Sequence, residues 1–148
     1  MVIVYITTMK FMQFGTDGGK DSGVTGFWLC EIKGLFSIAL LHFKKGTREN
    51  YHSHAFNAYS FFIKGKVEEQ HLDEDPIIWE PSIRPKYTPR STFHRVNALE
   101  DTWCLTFRGP WSKSWYEYNP SSEEYIELTN GRKVVDTSLD RPVILHLC

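Results

Sequence analysis

Apolar and polar residues are arranged along this chain in short runs, rich in aromatic and β-branched side chains, which Gly, Pro, Asn and Asp separate at regular intervals. Runs of this kind bounded by turn residues are typical of β-strands. No stretch keeps an apolar period of about 3.6 residues over the length of a helix, so we predict a chain that is almost entirely β. The predicted strands lie near residues 2–8, 26–33, 36–44, 57–64, 76–80, 92–97, 102–108, 123–128 and 132–136.

Segments outside these strands carry turn signals. Asn130-Gly131, between the last two predicted strands, is typical of a two-residue β-hairpin. The glycines of residues 15–23 are irregularly spaced and open no helix, so we predict a loop there and reject a phosphate-binding loop. The apolar segment 141–148 is expected to be either an extra strand or a mobile tail.

Length, charge and cysteine content narrow the class of protein. A chain of 148 residues suits one domain with its own core. Because the formal net charge is −1, we expect neither a polynucleotide nor an anionic membrane as a partner. Cys30, Cys104 and Cys148 match no disulfide or zinc framework and favour a reducing compartment. The apolar N-terminal run is too short for a signal peptide or a membrane span, so we expect a cytoplasmic protein.

Three histidines are the main candidates for chemistry. His52 and His54 are two residues apart, so on an extended strand both imidazoles point to the same face. His94 follows forty residues later and, from a neighbouring strand, would add a third nitrogen. Three neutral imidazoles with open coordination positions suit a first-row transition metal, and we therefore predict a metal site at His52, His54 and His94.

The two stretches that contain these histidines resemble the two motifs of the cupin family. Gly46, five residues, His52-Ser53-His54 and a later Gly65 follow the first motif, and residues 89–94 follow the second, Pro-x-Gly-x-x-His. The resemblance covers about residues 36–108. It implies an all-β, single-domain cupin, a small antiparallel β-barrel or jelly roll with metal inside. The domain is expected to span residues 1–148, with the N-terminal strand and the C-terminal hairpin packed on this core.

Two positions depart from the cupin pattern. Ala58 stands where the first motif usually has a glutamate ligand, and Ser91 replaces the glycine of the second. A three-histidine site without the glutamate resembles the cysteine dioxygenase branch of the cupins, which implies Fe(II) and O2 chemistry. Zn, Ni or Mn are alternatives, since imidazoles bind most first-row ions. Residues 52–62 and 102–110 also resemble small cupin-like proteins of bacteriophages, a resemblance that carries a fold but no activity.

Five further residues are candidates for contact with a substrate or ligand. Arg108, a cation in an apolar strand, is the preferred anchor for a carboxylate or phosphate. Arg95 belongs to a basic segment that either binds an anion or is a solvated loop balanced by acidic residues such as Glu69. Trp103 contributes either to an aromatic wall or to core packing. His42 is a proton shuttle or a packed side chain, and Tyr59 is a hydroxyl near the open coordination position.

These features support two main functions from different classes. The first is a metal-dependent enzyme acting on a small polar or anionic molecule, with dioxygenase-like chemistry as its specific form. The second is a non-catalytic protein that binds or sequesters a nucleotide or signalling molecule. A virus would gain from a protein of this kind by removing a signal of its host. A metal-free, epimerase-like cupin is a third alternative, although its His-Asp pair cannot be located. A homodimer is expected through the edge strand 2–8.

Overall fold

The computed structural model describes residues 9–19, 22–47, 49–129 and 132–144. The strand predicted at residues 2–8 lies outside these ranges, as do the Asn130-Gly131 turn and Cys148. No helix occurs among the described residues, and none of them therefore forms a helix long and apolar enough to cross a membrane.

Thirteen β-strands make up the described chain, which confirms the predicted all-β class. In chain order they are β1 (Lys10–Thr16), β2 (Val24–Ile32), β3 (Phe36–Phe43), β4 (Tyr51–His52), β5 (Ala58–Lys64), β6 (Val67–His71), β7 (Ile77–Trp79), β8 (Lys86–Thr88), β9 (His94–Ala98), β10 (Thr102–Arg108), β11 (Ser114–Asn119), β12 (Glu124–Thr129) and β13 (Lys133–Ser138).

The strands form two antiparallel sheets. One has six strands in the order β1-β2-β3-β10-β5-β8, and the other has seven in the order β13-β12-β11-β4-β9-β6-β7. Buried side chains of both sheets meet in one apolar cluster, with Trp28, Leu41 and Cys104 from the first sheet and Val67 and Val96 from the second. Part of the interior between the two sheets is thus a packed apolar core. The remaining interior space holds the polar side chains described below.

Strand β10 shows how the pleat sorts side chains between interior and exterior. Its buried positions are Thr102, Cys104, Thr106 and Arg108, whereas Trp103 and the other odd positions face outward. Alternate side chains of a strand point to opposite faces, so small and polar residues occupy the interior here while large apolar residues lie outside.

Five strands were not predicted from the sequence, namely β1, β4, β6, β8 and β11. Strand β6, Val67–His71, has the sequence VEEQH, whose acidic residues are disfavoured in strands, yet Glu69 is fully buried. The hairpin predicted around residues 130 and 131 is supported by its flanks, because β12 and β13 pair antiparallel with Thr129 opposite Lys133. Residues 141–144 form no strand.

The glycine that closes the first histidine motif has a specific backbone role. Gly65 links β5 to β6 with a φ of +93°, in the left-handed region that favours glycine. A Cβ atom there would lie 2.4 Å from the carbonyl oxygen of Asp101. The tight turn between these two strands therefore requires glycine for both conformation and space.

Candidate metal centre

The structure brings the three predicted histidines together. His52 ends β4 and lies directly opposite His94, the first residue of β9, while His54 follows two residues after His52. The ring centroids are 4.8 Å apart for His52 and His54, 5.1 Å for His52 and His94, and 5.0 Å for His54 and His94. Each imidazole offers a nitrogen within 4.8 Å of the other two, so this group could hold a metal ion.

The backbone between the two neighbouring histidines is held by β11. Ser53 donates its N–H to the carbonyl oxygen of Tyr116 at 2.8 Å and accepts the Tyr116 N–H on its Oγ at 3.0 Å. Ser53 is buried on the opposite side of the strand from His52 and His54. This ladder fixes the extended conformation that directs both imidazoles to the interior.

His94 is oriented by a buried carboxylate. Its Nδ1 donates a hydrogen bond to Oε2 of Glu69 at 2.5 Å, and its Nε2 is buried without a hydrogen-bond partner. A proton on Nδ1 leaves the Nε2 lone pair available to a metal, which is the usual role of a carboxylate behind a metal-binding histidine. The unpartnered Nε2 fits a metal ligand.

Glu69 is the centre of a hydrogen-bond network that the sequence did not reveal. It is 1% exposed and accepts bonds from four side chains. Its Oε1 accepts from His71 Nε2 at 2.9 Å and Trp79 Nε1 at 3.1 Å, and its Oε2 accepts from Lys86 Nζ at 2.6 Å as well as from His94. Burial alone would raise the pKa of Glu69, but the His94 hydrogen bond and the Lys86 charge outweigh it and hold the pKa well below its usual range.

The tautomer of His52 is also set by its surroundings. Its Nδ1 lies 2.7 Å from the carbonyl oxygen of Asn50, which can only accept, so Nδ1 carries the proton and Nε2 is a lone-pair donor. That Nε2 is 3.2 Å from Nε2 of His54. Ligand atoms about 2.1 Å from a shared ion are separated by about 3.0–3.4 Å, so this spacing fits two ligands of one metal.

Burial favours the neutral form of His54 and His94. Desolvation lowers the pKa of His54 well below its ordinary value, and the charges of His52 and His94 lower it further. Desolvation also lowers the pKa of His94 to about 4, although the Glu69 hydrogen bond partly opposes the shift. Neutral imidazoles are the form that binds metals, so the donor set suits a divalent first-row ion at neutral pH.

A second group, Glu69, His71 and His94, also satisfies the spacing of a metal site. Lys86 lies 2.6 Å from Glu69 Oε2 and would repel a cation there. The Nδ1 of His94, the nitrogen next to Glu69, already donates to that carboxylate. We therefore interpret this group as the support of His94 rather than as a separate site.

The histidines lie between a small inner cavity and a larger outer cleft. The inner cavity has a volume of about 90 Å³ and the outer cleft about 890 Å³. Aromatic side chains of Trp28, Phe56, Trp111 and Trp115 form part of the cleft wall. The residues that line both spaces are Asp17, Glu49, His52, His54, Phe56 and Arg108.

Arg108, the predicted anchor, lies in this shared region but already has an anionic partner. Its Nη2 donates to Oδ2 of Asp17 at 2.6 Å, and its guanidinium carbon lies 4.6 Å from the Phe56 ring centroid. Burial would raise the pKa of Asp17, but the charge and hydrogen bond of Arg108 outweigh it and lower that pKa. A substrate carboxylate would have to compete with Asp17 for Arg108.

Four other predicted site residues lie outside the cavity. Tyr59 is half exposed and contacts Tyr87 at 4.8 Å between ring centroids, while its neighbours Ala58 and Ser60 line the interior. The structure thus corrects the prediction of a Tyr59 hydroxyl near the metal. The remaining three also face outward: His42 and Trp103 contact each other at 4.5 Å, and Arg95 lies over the Tyr51 ring at 4.7 Å.

The sequence did not single out Glu49 or Lys86, which both line the inner cavity. The Oε2 of Glu49 lies 3.6 Å from Nε2 of His52. Burial raises the pKa of Glu49, and this effect together with the charges of Asp17 and Glu69 outweighs the opposing charges of His52 and Arg108. For Glu69 the available signal was alternation, since Val67 and Glu69 share a face of β6 and Val67 is fully buried.

Comparison with known proteins identifies the fold. No protein-family model matches the chain, and no curated protein matches it. Among solved structures, a cupin-superfamily sugar phosphate isomerase from Silicibacter pomeroyi shares 12% identity with a TM-score of 0.59, over 88% of each chain. An RmlC-like cupin from Shewanella frigidimarina shares 15% identity with a TM-score of 0.55, over 67% of this chain and 84% of that one. Ectoine synthase from P. lautus shares 16% identity with a TM-score of 0.53, over 62% of this chain and 67% of that one.

These similarities show that the chain has the fold of the cupin superfamily. The fold agrees with the order and spacing of the two histidine motifs. Together with the three converging imidazoles, it defines a protein of cupin-like fold with a candidate site for a divalent metal.

Proposed function

We propose that this protein is a metal-dependent cupin enzyme that acts on a small polar or anionic molecule, with Fe(II)-dependent, dioxygenase-like chemistry as the reaction class. The observation that carries the proposal is the convergence of His52, His54 and His94 beside a cleft of about 890 Å³. A bound Fe(II) ion would supply open coordination positions and electron transfer to O2.

The side chains of the chain have distinct roles in this proposal. Glu69 holds the His94 ring so that the Nε2 of His94 points away from the Glu69 carboxylate. Phe56 and Trp111, whose rings lie 5.3 Å apart, restrict water at the cleft side of the histidines. Arg108 exchanges its bond with Asp17 for one with an anionic group of the substrate, which orients the substrate toward the histidines.

Metal analysis and oxygen consumption test this function. We expect wild-type protein reconstituted with Fe(II) without air to retain about one iron per chain and to consume O2 when small thiols are screened. His54→Ala should lose both properties. Tyr59→Phe is the matched control on the outer face and should keep both. Retained iron without O2 uptake on any thiol would contradict the dioxygenase chemistry, and the same metal content in His54→Ala would contradict the site.

A second candidate function is the binding or sequestration of a small ligand without turnover. The outer cleft supports it, because its volume suits a ligand of nucleotide size and Trp111 and Trp115 form a perpendicular pair of rings 6.1 Å apart on its wall. The resemblance to cupin-like proteins of bacteriophages agrees with this role. Mass spectrometry of molecules released from purified protein tests it: an intact ligand without metal would favour sequestration over catalysis.

We also propose that the protein acts in the cytoplasm as a homodimer. Cys30 and Cys104 form no disulfide in the described structure, which agrees with a reducing compartment. The outer face of the six-stranded sheet carries exposed Tyr59, Trp103 and Phe107, an apolar surface that a second copy would cover. Light scattering coupled to gel filtration should give twice the chain mass, and a monomer at micromolar concentration would contradict the dimer.

A further inference from the structure

We propose that Glu49 supplies a carboxylate ligand to the metal held by His52, His54 and His94. The inference rests on the proposed metal function and extends it by a fourth protein ligand. The carboxylate comes from the segment before the His-x-His pair, whereas the cupin motif has its glutamate after the pair, where Ala58 stands in this chain.

The position of Glu49 places its carboxylate beside the imidazoles. Its Oε2 is 3.6 Å from Nε2 of His52, close to the separation of about 3.0–3.4 Å between two ligands of one ion. Its backbone N–H donates to the carbonyl oxygen of Val96 at 3.2 Å, on the strand that begins with His94. The backbone of Glu49 is therefore fixed next to two of the three histidines.

The side chain reaches the site from the cleft. The three histidine nitrogens lie within 4.8 Å of one another, and Glu49 stands at the edge of this group beside His52. Glu49 also lines both the inner cavity and the outer cleft. The proposal requires the Glu49 carboxylate to turn toward His54 and His94 when the ion binds.

The charges around the cavity favour a cation at this point. Among the described residues that line the inner cavity, three are carboxylates, Asp17, Glu49 and Glu69, and two are cations, Lys86 and Arg108. Arg108 pairs with Asp17 and Lys86 pairs with Glu69, each at 2.6 Å. The one ion-pair contact described for Glu49 is with Nε2 of His52, whose other ring nitrogen bonds to the Asn50 carbonyl oxygen. A divalent ion supplies the positive charge that this carboxylate lacks.

The expected cupin carboxylate has no counterpart on β5. Ala58 lines the inner cavity, but its methyl group carries no ligand atom, and the other β5 residues on that wall are Ser60 and Phe62. Glu49 therefore restores a three-histidine, one-carboxylate donor set from a different element of the fold.

Zinc titration of metal-stripped, full-length protein tests this assignment. Isothermal titration calorimetry with Zn²⁺ would compare wild type with Glu49→Gln, which keeps the side-chain size. We expect Glu49→Gln to weaken Zn²⁺ binding by about tenfold or more. Glu80→Gln is the matched control, since Glu80 is an exposed carboxylate that pairs with Lys66 and lines neither the inner cavity nor the outer cleft. It should change Zn²⁺ affinity by less than about threefold, because it alters charge at a distance and not a ligand.

The visible spectrum of bound Co²⁺ reports the ligands directly. We expect Glu49→Gln to change the intensity and position of the Co²⁺ bands and Glu80→Gln to leave them unchanged. Thermal melts without metal establish that each variant is folded. Equal Zn²⁺ affinity and identical Co²⁺ spectra in wild type and Glu49→Gln would overturn the assignment of Glu49. If wild type binds no Zn²⁺, or if His54→Ala binds it equally well, the histidine site itself fails, and the two failures are thus distinguishable.

Discussion

Replacement of Glu69 by glutamine perturbs the support of the metal site most sharply. Glu69→Gln keeps the size of a side chain that is 1% exposed but removes the charge that balances Lys86. It also places an amide NH2 among four donors, so at least one of the bonds from His71, Trp79, Lys86 and His94 is lost. The variant therefore leaves a cation and one or more donors buried without an acceptor.

The magnitude follows from the cost of breaking a buried ion pair. Removal of one partner of such a pair typically lowers the free energy of unfolding by about 3–5 kcal/mol. For a domain of this size we expect the melting temperature to fall by about 10 °C. Because His94 loses its fixed tautomer, Zn²⁺ affinity should also fall by about 10–100-fold.

Urea unfolding and Zn²⁺ titration measure the two effects separately. Glu68→Gln is the matched control, since Glu68 lies on the opposite face of β6 and its Oε1 accepts a hydrogen bond from Asn97 at 2.9 Å. It should change stability by less than about 1 kcal/mol. In the double variant Glu69→Gln/Lys86→Met, stability should partly recover, whereas Zn²⁺ affinity should remain low. If Glu69→Gln matches Glu68→Gln in both measurements, the orienting role of Glu69 is wrong.

Three further predictions concern other parts of the fold. Gly65→Ala should lower the free energy of unfolding, measured in urea, by about 2–4 kcal/mol, because φ is +93° and the new Cβ meets backbone atoms. Gly34→Ala is the control, since a Cβ there meets open space, and it should change the free energy of unfolding by less than about 0.5 kcal/mol. Because folding lowers the pKa of Asp17 below 3.8, the stability advantage of wild type over Asp17→Asn should be fully present above that pH and shrink as the pH falls below it; an advantage independent of pH would refute the pairing with Arg108. Burial raises the pKa of Cys104 to about 11, so iodoacetamide at pH 8 should label it only after denaturation, as peptide mass mapping would show; rapid labelling of the native protein would contradict its burial.

The histidine site could be predicted from the sequence because its spacing is local. His52 and His54 are two residues apart, so on an extended strand they share one face. The second motif places His94 in a strand of its own. The structure adds the direct pairing of His52 with His94, which the motif order implies but does not specify. The all-β class followed in the same way from short runs and turn residues.

The faces of the other strands could not be predicted, because their hydrophobic pattern is nearly uniform. In β3, Ala39 and Leu41 face the interior while Leu40 and His42 face outward, so apolar residues occupy both sides. In β10 the usual distribution is reversed, because the large apolar Trp103 faces outward while the polar Thr102 and Thr106 are buried. Where both faces are apolar, alternation does not set the register, and the faces of His42 and Trp103 could therefore not be predicted from the sequence.

The buried charges were hidden for a different reason. Glu69 and Lys86 are far apart in sequence, and each alone resembles an ordinary surface residue. Their burial is stabilised only by contact with each other and with His94, which depends on the packing of β6, β8 and β9. The contacts that compensate these charges join residues far apart in sequence, so a single sequence does not show them.

The metal content of wild type and His54→Ala, measured side by side by elemental analysis after reconstitution and removal of loose ions, tests the central claim most directly. The account predicts about one divalent ion per chain in the wild type and less than about a tenth of that in the folded variant. Equal metal content in both proteins, or none in the wild type, would contradict a metal centre at His52, His54 and His94.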